Sequence, residues 1–290
     1  MTLSVHRMSR DEAGQIIDAL CDWAPLSTYT GHLHAGDIGW LLRLDDDDVN
    51  EALHVVRDRG EIVAVVVADE LSAISPAVKP DRVHDLAVAE AIAGLADNMP
   101  TTSNAYADAP PGSTLRSLLS VGGWVVDPDP WVVLYRPLGP VDAVYADPMS
   151  ATLSSEDDIS DRVEVQRSAF EGSTFTIGRW HQMAAGPGFD PALEYLRRNP
   201  EGLPVAAATG WSAGRGKCGI LEPVGTHLDH TGAGHGKAVS MAAIAALARV
   251  GASGVTVHTP GFNAAAIRTY ESCGLRQVEI THAMRRPAGV

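Results

Sequence analysis

Thr231-Gly232-Ala233-Gly234-His235-Gly236-Lys237 is the stretch on which the reading of this chain turns. The residues before it, Lys217 to Thr226, predict a strand. The Ala/Leu-rich run after it predicts a helix from about His235 to Val250, closed by Gly251 as a C′ glycine. A strand that ends in a glycine-rich turn and opens a helix makes an anion site. The first helical N–H groups have no intrahelical partner, and the helix dipole adds partial positive charge there. Glycines at 232, 234 and 236 let backbone approach a diphosphate with no Cβ in the way. The same glycines also fit a flexible loop or a tight helix entry. Their spacing is not G-x-G-x-x-G, and G-x-x-x-x-G-K-[ST] does not occur, so neither a Rossmann loop nor a P-loop is indicated.

Outward from the loop, Ile159 to Phe170 is helical in pattern, and Pro204 to Trp211 reads as a strand. Ala213-Gly214-Arg215-Gly216 joins that strand to the next as a hairpin. Gly254 to Thr259 reads as a strand, Asn263 to Ser272 as a helix, and Arg276 to Met284 as the last strand. The first half repeats this order. A strand at Leu3 to His6 and a helix from Ser9 to Ala19 precede the hairpin of Leu53 to Arg57 with Glu61 to Ala68, turned at Asp58-Arg59-Gly60. Strands at 70–74 and 101–107, helices at 82–95 and 113–120, and two strands within 124–136 follow. Residues repeat as well as patterns: Leu115 to Gly122 lies over Ile267 to Gly274 at an offset of 152, and Lys79 to Arg82 over His227 to His230 at 148. These offsets predict a tandem duplication with one small indel. The linker falls near Pro137 to Asp158, between units at 1–140 and 150–287.

The chain has 290 residues, 45% of them apolar and 20% charged, enough for two cores. No apolar run approaches the roughly 18 residues of a membrane helix, and the start has no apolar leader core. Cys21, Cys218 and Cys273 form neither a C-x-x-C nor an even set, so a reduced, cytoplasmic location is expected, with no disulfide framework and no metal site. The net charge of −14 argues against nucleic acid and leaves two readings, a cationic partner or mere solubility. Asp45-Asp46-Asp47-Asp48 with Glu51 reads as a solvated acidic turn, or as an attractor of a polycation. A homodimer is left open.

Leu221-Glu222-Pro223-Val224-Gly225-Thr226-His227, followed by Asp229 to Lys237, resembles motif A of the GNAT superfamily of N-acetyltransferases. Asn263-Ala264-Ala265-Ala266-Ile267-Arg268-Thr269-Tyr270-Glu271-Ser272-Cys273-Gly274-Leu275 resembles that family's motif B. The resemblance covers 150–287. It implies an α/β (α+β) fold, here two tandem GNAT-like domains, each a mixed central sheet flanked by helices, with the first degenerate. It implies acetyl-CoA as co-substrate, held in a gap where the strand of 217–226 splays from that of 254–259. The backbone of Val224, Gly225 and Thr226 would pair with the pantetheine arm. The loop Thr231, Gly232, Ala233, Gly234, His235, Gly236 and Lys237 would hold the pyrophosphate, and Asn263 with Ala266 would flank the CoA arm. Tyr270 would protonate the departing thiolate, and Glu222 would deprotonate the amine or anchor it.

Thr231 stands where the family commonly has Arg or Gln, and Leu275 where it has Phe. In the first half, His84, Leu86 and Val88 lie over the three loop glycines, and Leu118 lies over Tyr270. That half is expected not to bind CoA but to pack on the second and shape the acceptor cleft. The family's pattern points to Glu171, Phe175 and Trp180 as acceptor contacts. The acceptor is expected to be a primary amine on a small cationic molecule, an aminoglycoside-type antibiotic first, as in resistance or self-protection. A mycothiol-synthase-like action on a cysteinyl-sugar amine and a non-catalytic CoA-binding role are the alternatives.

Overall fold

The computed structural model describes residues 3–26, 33–68, 73–98 and 105–287. The first half runs β1 (Leu3–Arg7), α1 (Ala13–Trp23), α2 (Ala35–Leu41), α3 (Asp46–Ala52), β2 (Leu53–Asp58) and β3 (Glu61–Ala68). It continues through β4 (Ala73–Val78), α4 (Leu86–Asp97), β5 (Ala105–Ala107), α5 (Thr114–Val121), β6 (Val125–Val126) and β7 (Trp131–Pro137). The second half runs β8 (Ser150–Thr152), α6 (Glu156–Ala169), α7 (Ile177–Ala184), β9 (Glu194–Arg198), β10 (Pro204–Trp211) and β11 (Cys218–Thr226). It ends with α8 (His235–Arg249), β12 (Gly254–Pro260), α9 (Ala264–Ser272), β13 (Arg276–Thr281) and β14 (Met284–Arg286). Parts of the expected strands at 70–74 and 101–107 lie outside the described residues.

Local chemistry accounts for several of these elements. Arg59 and Gly60 both take positive φ, 51° and 89°, so the β2–β3 turn is the two-residue primed type whose twist suits a hairpin. Ser155 accepts from the Asp158 amide and starts α6 one turn before the expected Ile159. The acidic run is not a turn. Asp45 stands at the N-cap position of α3 without a side-chain capping bond, and Asp46, Asp47 and Asp48 fill its first turn, where carboxylates meet the positive end of the helix dipole.

Among the described residues, fourteen strands form two sheets of seven with the same layout, β1-β2-β3-β4-β5-β14-β6 and β8-β9-β10-β11-β12-β7-β13. Each sheet has one parallel join, β4 to β5 and β11 to β12, and is otherwise antiparallel. The tandem arrangement is therefore present, with one feature the sequence did not show. Each half gives its final strand to the other: β7 sits between β12 and β13, and β14 between β5 and β6. The expected final strand at 276–284 is thus two strands in different sheets. α8 packs through Ala243, Ala246 and Leu247 on the second sheet, and α4 through Val88, Ala89 and Ile92 on the first. Among the described residues, no helix is long and apolar enough to cross a membrane.

Candidate active site

β11 and β12 pair only through Cys218–Gly254, Gly219–Val255 and Ile220–Thr256. Beyond that point β11 follows β10 to Thr226, while β12 follows β7 to Pro260. The sheet therefore opens from Leu221 and Val257 onward. A bulge accompanies the opening. Ala208 pairs with Val224 but Gly210 with Leu221, so Glu222 and Pro223 together face the single residue Thr209. An extra residue bends a strand and re-aims its side chains, and Pro, lacking an N–H, is tolerated there. The Trp211 indole N–H donates to the Glu222 carbonyl at 2.6 Å and holds the bulge.

The glycine loop lies at the wide end of this opening, and its glycines serve two different needs. Gly232 and Gly234 have φ of 78° and 82°, the left-handed region that side chains resist. Gly236 starts α8 against β11, and a Cβ there would stand 2.9 Å from Thr226 Oγ1. Gly234 is the N-cap of α8 and has no side chain to cap it, so the amides of His235, Gly236 and Lys237 face outward without intrahelical acceptors. Arg197 Nε donates to His235 Nδ1 at 3.2 Å and brings a guanidinium beside this helix start. Burial, then the Arg197 and His230 charges, lower the His235 pKa. Thr231 uses its hydroxyl inside the loop, donating to the Leu228 carbonyl at 3.1 Å. Ala233 and Lys237 are exposed beside it.

Val224 and Thr226 are half-buried on the splayed part of β11, and Gly225 between them is buried. A Cβ on Gly225 would stand 2.8 Å from the Ala169 Cβ, so α6 closes on the strand there. Asn263 Oδ1 accepts the Ala266 amide at 3.1 Å and caps α9. Ala266 is half-buried on that helix, and Tyr270 one turn further on is buried in the core. Burial, then Cys273 and Glu222, push the Tyr270 phenol well above its usual range, so it keeps its proton at neutral pH.

Glu222 points into a cavity of 580 Å³ that both halves enclose. Its polar wall holds five carboxylates, Glu222 from β11 and Asp37, Asp108, Asp127 and Asp129 from the first half. Asp108 accepts from the Ser75 hydroxyl at 2.7 Å, and Asp127 faces Arg285 Nε at 3.5 Å. The residues expected to meet the acceptor lie elsewhere. Glu171 is exposed past the end of α6. Phe175 is 3% exposed, with Trp40 at 5.2 Å and the Arg162 guanidinium at 5.6 Å from its ring. Trp180 donates to Glu194 Oε2 at 2.9 Å and packs edge-on against Phe189. None of the three lines the cavity. Asp37 was missed although it carried a signal, a single acid inside the apolar run Ala35 to Leu42.

Residues 166–275, within the second half, match the family described as Acetyltransferase (GNAT) family. Solved structures resemble the chain over its whole length. A GCN5-related N-acetyltransferase from Sphaerobacter thermophilus is 18% identical, with TM-score 0.61 over 99% of this chain and 96% of that one. A tandem GNAT protein from the clavulanic acid biosynthesis pathway is 14% identical, with TM-score 0.62 over 100% and 99%. The N-myristoyltransferase of Saccharomyces cerevisiae, solved with myristoyl-CoA, is 13% identical, with TM-score 0.57 over 98% and 79%. At these identities the likeness is one of fold, and it spans both halves. A search of curated proteins finds no match.

Proposed function

We propose that the protein is an acetyl-CoA-dependent N-acetyltransferase acting on a primary amine of a small cationic molecule, with an aminoglycoside-type polyamino sugar as the first candidate. The observation that carries this is the shared cavity, where five carboxyl groups surround the place an amine must occupy beside the β11–β12 opening. Opposite charges at about 4 Å in such a partly buried site attract by about 4 kcal/mol before desolvation, against about 1 kcal/mol in water. Several carboxylates suit an acceptor with more than one ammonium group.

In this reading acetyl-CoA lies along β11 at Val224, Gly225 and Thr226, with its pyrophosphate on the amides from Gly232 to Lys237. Glu222 takes a proton from the bound ammonium, and the neutral amine attacks the thioester carbonyl. The C–S bond then breaks, the CoA thiolate takes the Tyr270 proton, and the second proton of the newly acetylated nitrogen passes back to the Tyr270 oxygen, directly or through water. The panel that tests the reading is purified protein with acetyl-CoA, thiol release being followed for aminoglycosides, polyamines, amino sugars and peptide N-termini. Acceleration by a polycationic amine is expected. Silence from every aminoglycoside would overturn the first candidate, and silence from every cationic amine would overturn the acceptor class.

The two units at 1–140 and 150–287 divide the work in this reading, the second binding the cofactor and the first closing the acceptor cavity. In the first half the equivalent helix start is already occupied. Asp85 accepts from the amides of Ala87 and Val88 at 2.9 and 3.3 Å, and Arg82 Nε donates to Asp85 at 2.9 Å. A carboxylate there repels a phosphate. Isothermal titration is therefore expected to give one acetyl-CoA site per chain. Gly234→Ala should weaken that site about tenfold, because a side chain costs about 1–2 kcal/mol in left-handed backbone. Two sites, or an unchanged affinity in the variant, would count against this division.

A further inference from the structure

Glu222 does not stand alone in the cavity, and its neighbour comes from the other half of the chain. We propose that Asp37 is a positioning residue for the transfer reaction, donating a hydrogen bond to Glu222 across the join between the halves and so keeping the base charged and aimed. The proposal rests on the reading of Glu222 as the base.

Three contacts hold α2 against β10 and β11 around this pair. His34, the N-cap of α2, donates from Nε2 to the Cys218 carbonyl at 3.1 Å and accepts the Gly36 amide on Nδ1 at 2.8 Å. Gly36 and Gly39 lie flat on the Trp211 indole, where a Cβ would come within 2.4 and 2.3 Å of its atoms. Trp211 in turn holds the Glu222 carbonyl at 2.6 Å. The helix, the indole and the bulge thus form one stack, and Asp37 is the side chain of α2 that reaches the cavity beside Glu222. An Ala at 36 or 39 would favour the helix by about 1 kcal/mol, so the glycines are explained by this close approach rather than by helix formation.

Burial, then the Glu222 charge and the hydrogen bond between the two carboxyls, push Asp37 well above the usual carboxylate range. Two carboxyls this close hold one proton between them. The groups facing Asp37 agree with that sharing. The His34 amide donates to it, and Asp108, a further acid on the cavity wall, disfavours a second negative charge. The His34 ring is neutral, lowered to about 4 by burial, and brings no cation. Tyr270 on α9 is buried and keeps its proton, burial first and then the Cys273 and Glu222 charges acting against its ionisation. Tyr106, Asp127, Asp129 and His258 complete the titratable lining. With one proton the pair carries a single negative charge, matched to a single ammonium. A donor on Glu222 also favours its charged form, which is the form that can accept the amine proton.

The test is the pH dependence of kcat/KM for wild type, Asp37→Asn and Asp37→Ala, with the best acceptor of the panel. Asn keeps a donor for Glu222 and an acceptor for the His34 amide, so its acid limb should stay in place and kcat should fall no more than about threefold. Ala removes the donor. Its acid limb should move up by about one pH unit, kcat at pH 7 should fall about tenfold, and the KM for acetyl-CoA should hold. In a Glu222→Gln background Asp37→Ala should add almost nothing, because Asp37 acts through Glu222. Asp37→Val, close to Asp in shape and likewise without a donor, carries the same expectation if Asp37→Ala does not fold. An unmoved acid limb in Asp37→Ala, an equal shift in Asp37→Asn, or an undiminished penalty in the Glu222→Gln background would overturn the role of Asp37 alone. Turnover left at the wild-type rate by Glu222→Gln would overturn the base assignment, and the inference with it.

Discussion

Replacing Glu222 by Gln is expected to lower kcat by roughly 10²- to 10⁴-fold, the usual range for a lost general base, while the KM for acetyl-CoA stays within about twofold. The side chain keeps its shape and its place on the bulge, held through a main-chain bond from Trp211, so the loss is chemical. A kcat near wild type with a raised acceptor KM would make Glu222 an anchor instead, since uniform binding raises KM without touching the chemical step. Raising the pH should recover part of the loss by supplying neutral amine from solution. Tyr270→Phe should add to the defect, because the thiolate then leaves without its proton donor. Unchanged turnover in the double variant would remove this mechanism while sparing the fold.

Arg162→Ala should cost about 3–5 kcal/mol of unfolding free energy, read from urea denaturation followed by tryptophan fluorescence. Arg162 and Glu194 are among the most buried charges in the molecule, paired at 2.9 Å with side chains 1% exposed. Glu194 also accepts from Trp180 Nε1 at 2.9 Å and Thr209 Oγ1 at 3.3 Å. Removing the guanidinium leaves a buried carboxylate with donors but no countercharge. Burial alone lowers the Arg162 pKa, and Glu194 acts against that, so neither charge is at ease without the other. Replacing both residues by apolar ones of similar volume should recover most of the loss. A single-variant change under about 0.5 kcal/mol would show that water reaches Glu194. The network also ties α7 to β9 through Trp180, which is why the aromatics expected at the acceptor are found holding a wall.

The parts of the candidate site carried by local sequence were legible as local structure. Glycines at positive φ, the Asn263 cap and Tyr270 about two turns beyond it are each fixed within a few residues of chain. The Asp58-Arg59-Gly60 turn was legible for the same reason. Partner choice was not. Only Asp127 to Pro130 separate β6 from β7, and only His282 and Ala283 separate β13 from β14, and nothing in Trp131 to Pro137 says which sheet will receive it. Helix α2 was hidden by Gly36 and Gly39, which depress helix propensity and make sense only once Trp211 lies against them. Phe175 and Trp180 show the limit from another side. An aromatic residue serves equally in a cleft or in a core, and only burial tells the two apart.

The reciprocal loan of β7 and β14 sets the order in which the molecule can be finished. During synthesis from the N-terminus, the first sheet has an open slot between β5 and β6 until residues 284–286 have been made, about 158 positions after β6 ends. β7 waits as a free strand until β12 and β13 exist to receive it. Cutting the gene at the linker would yield two fragments, each holding a strand the other needs. Mixed together, they should recover their sheets by complementation where either alone would present an unfilled edge.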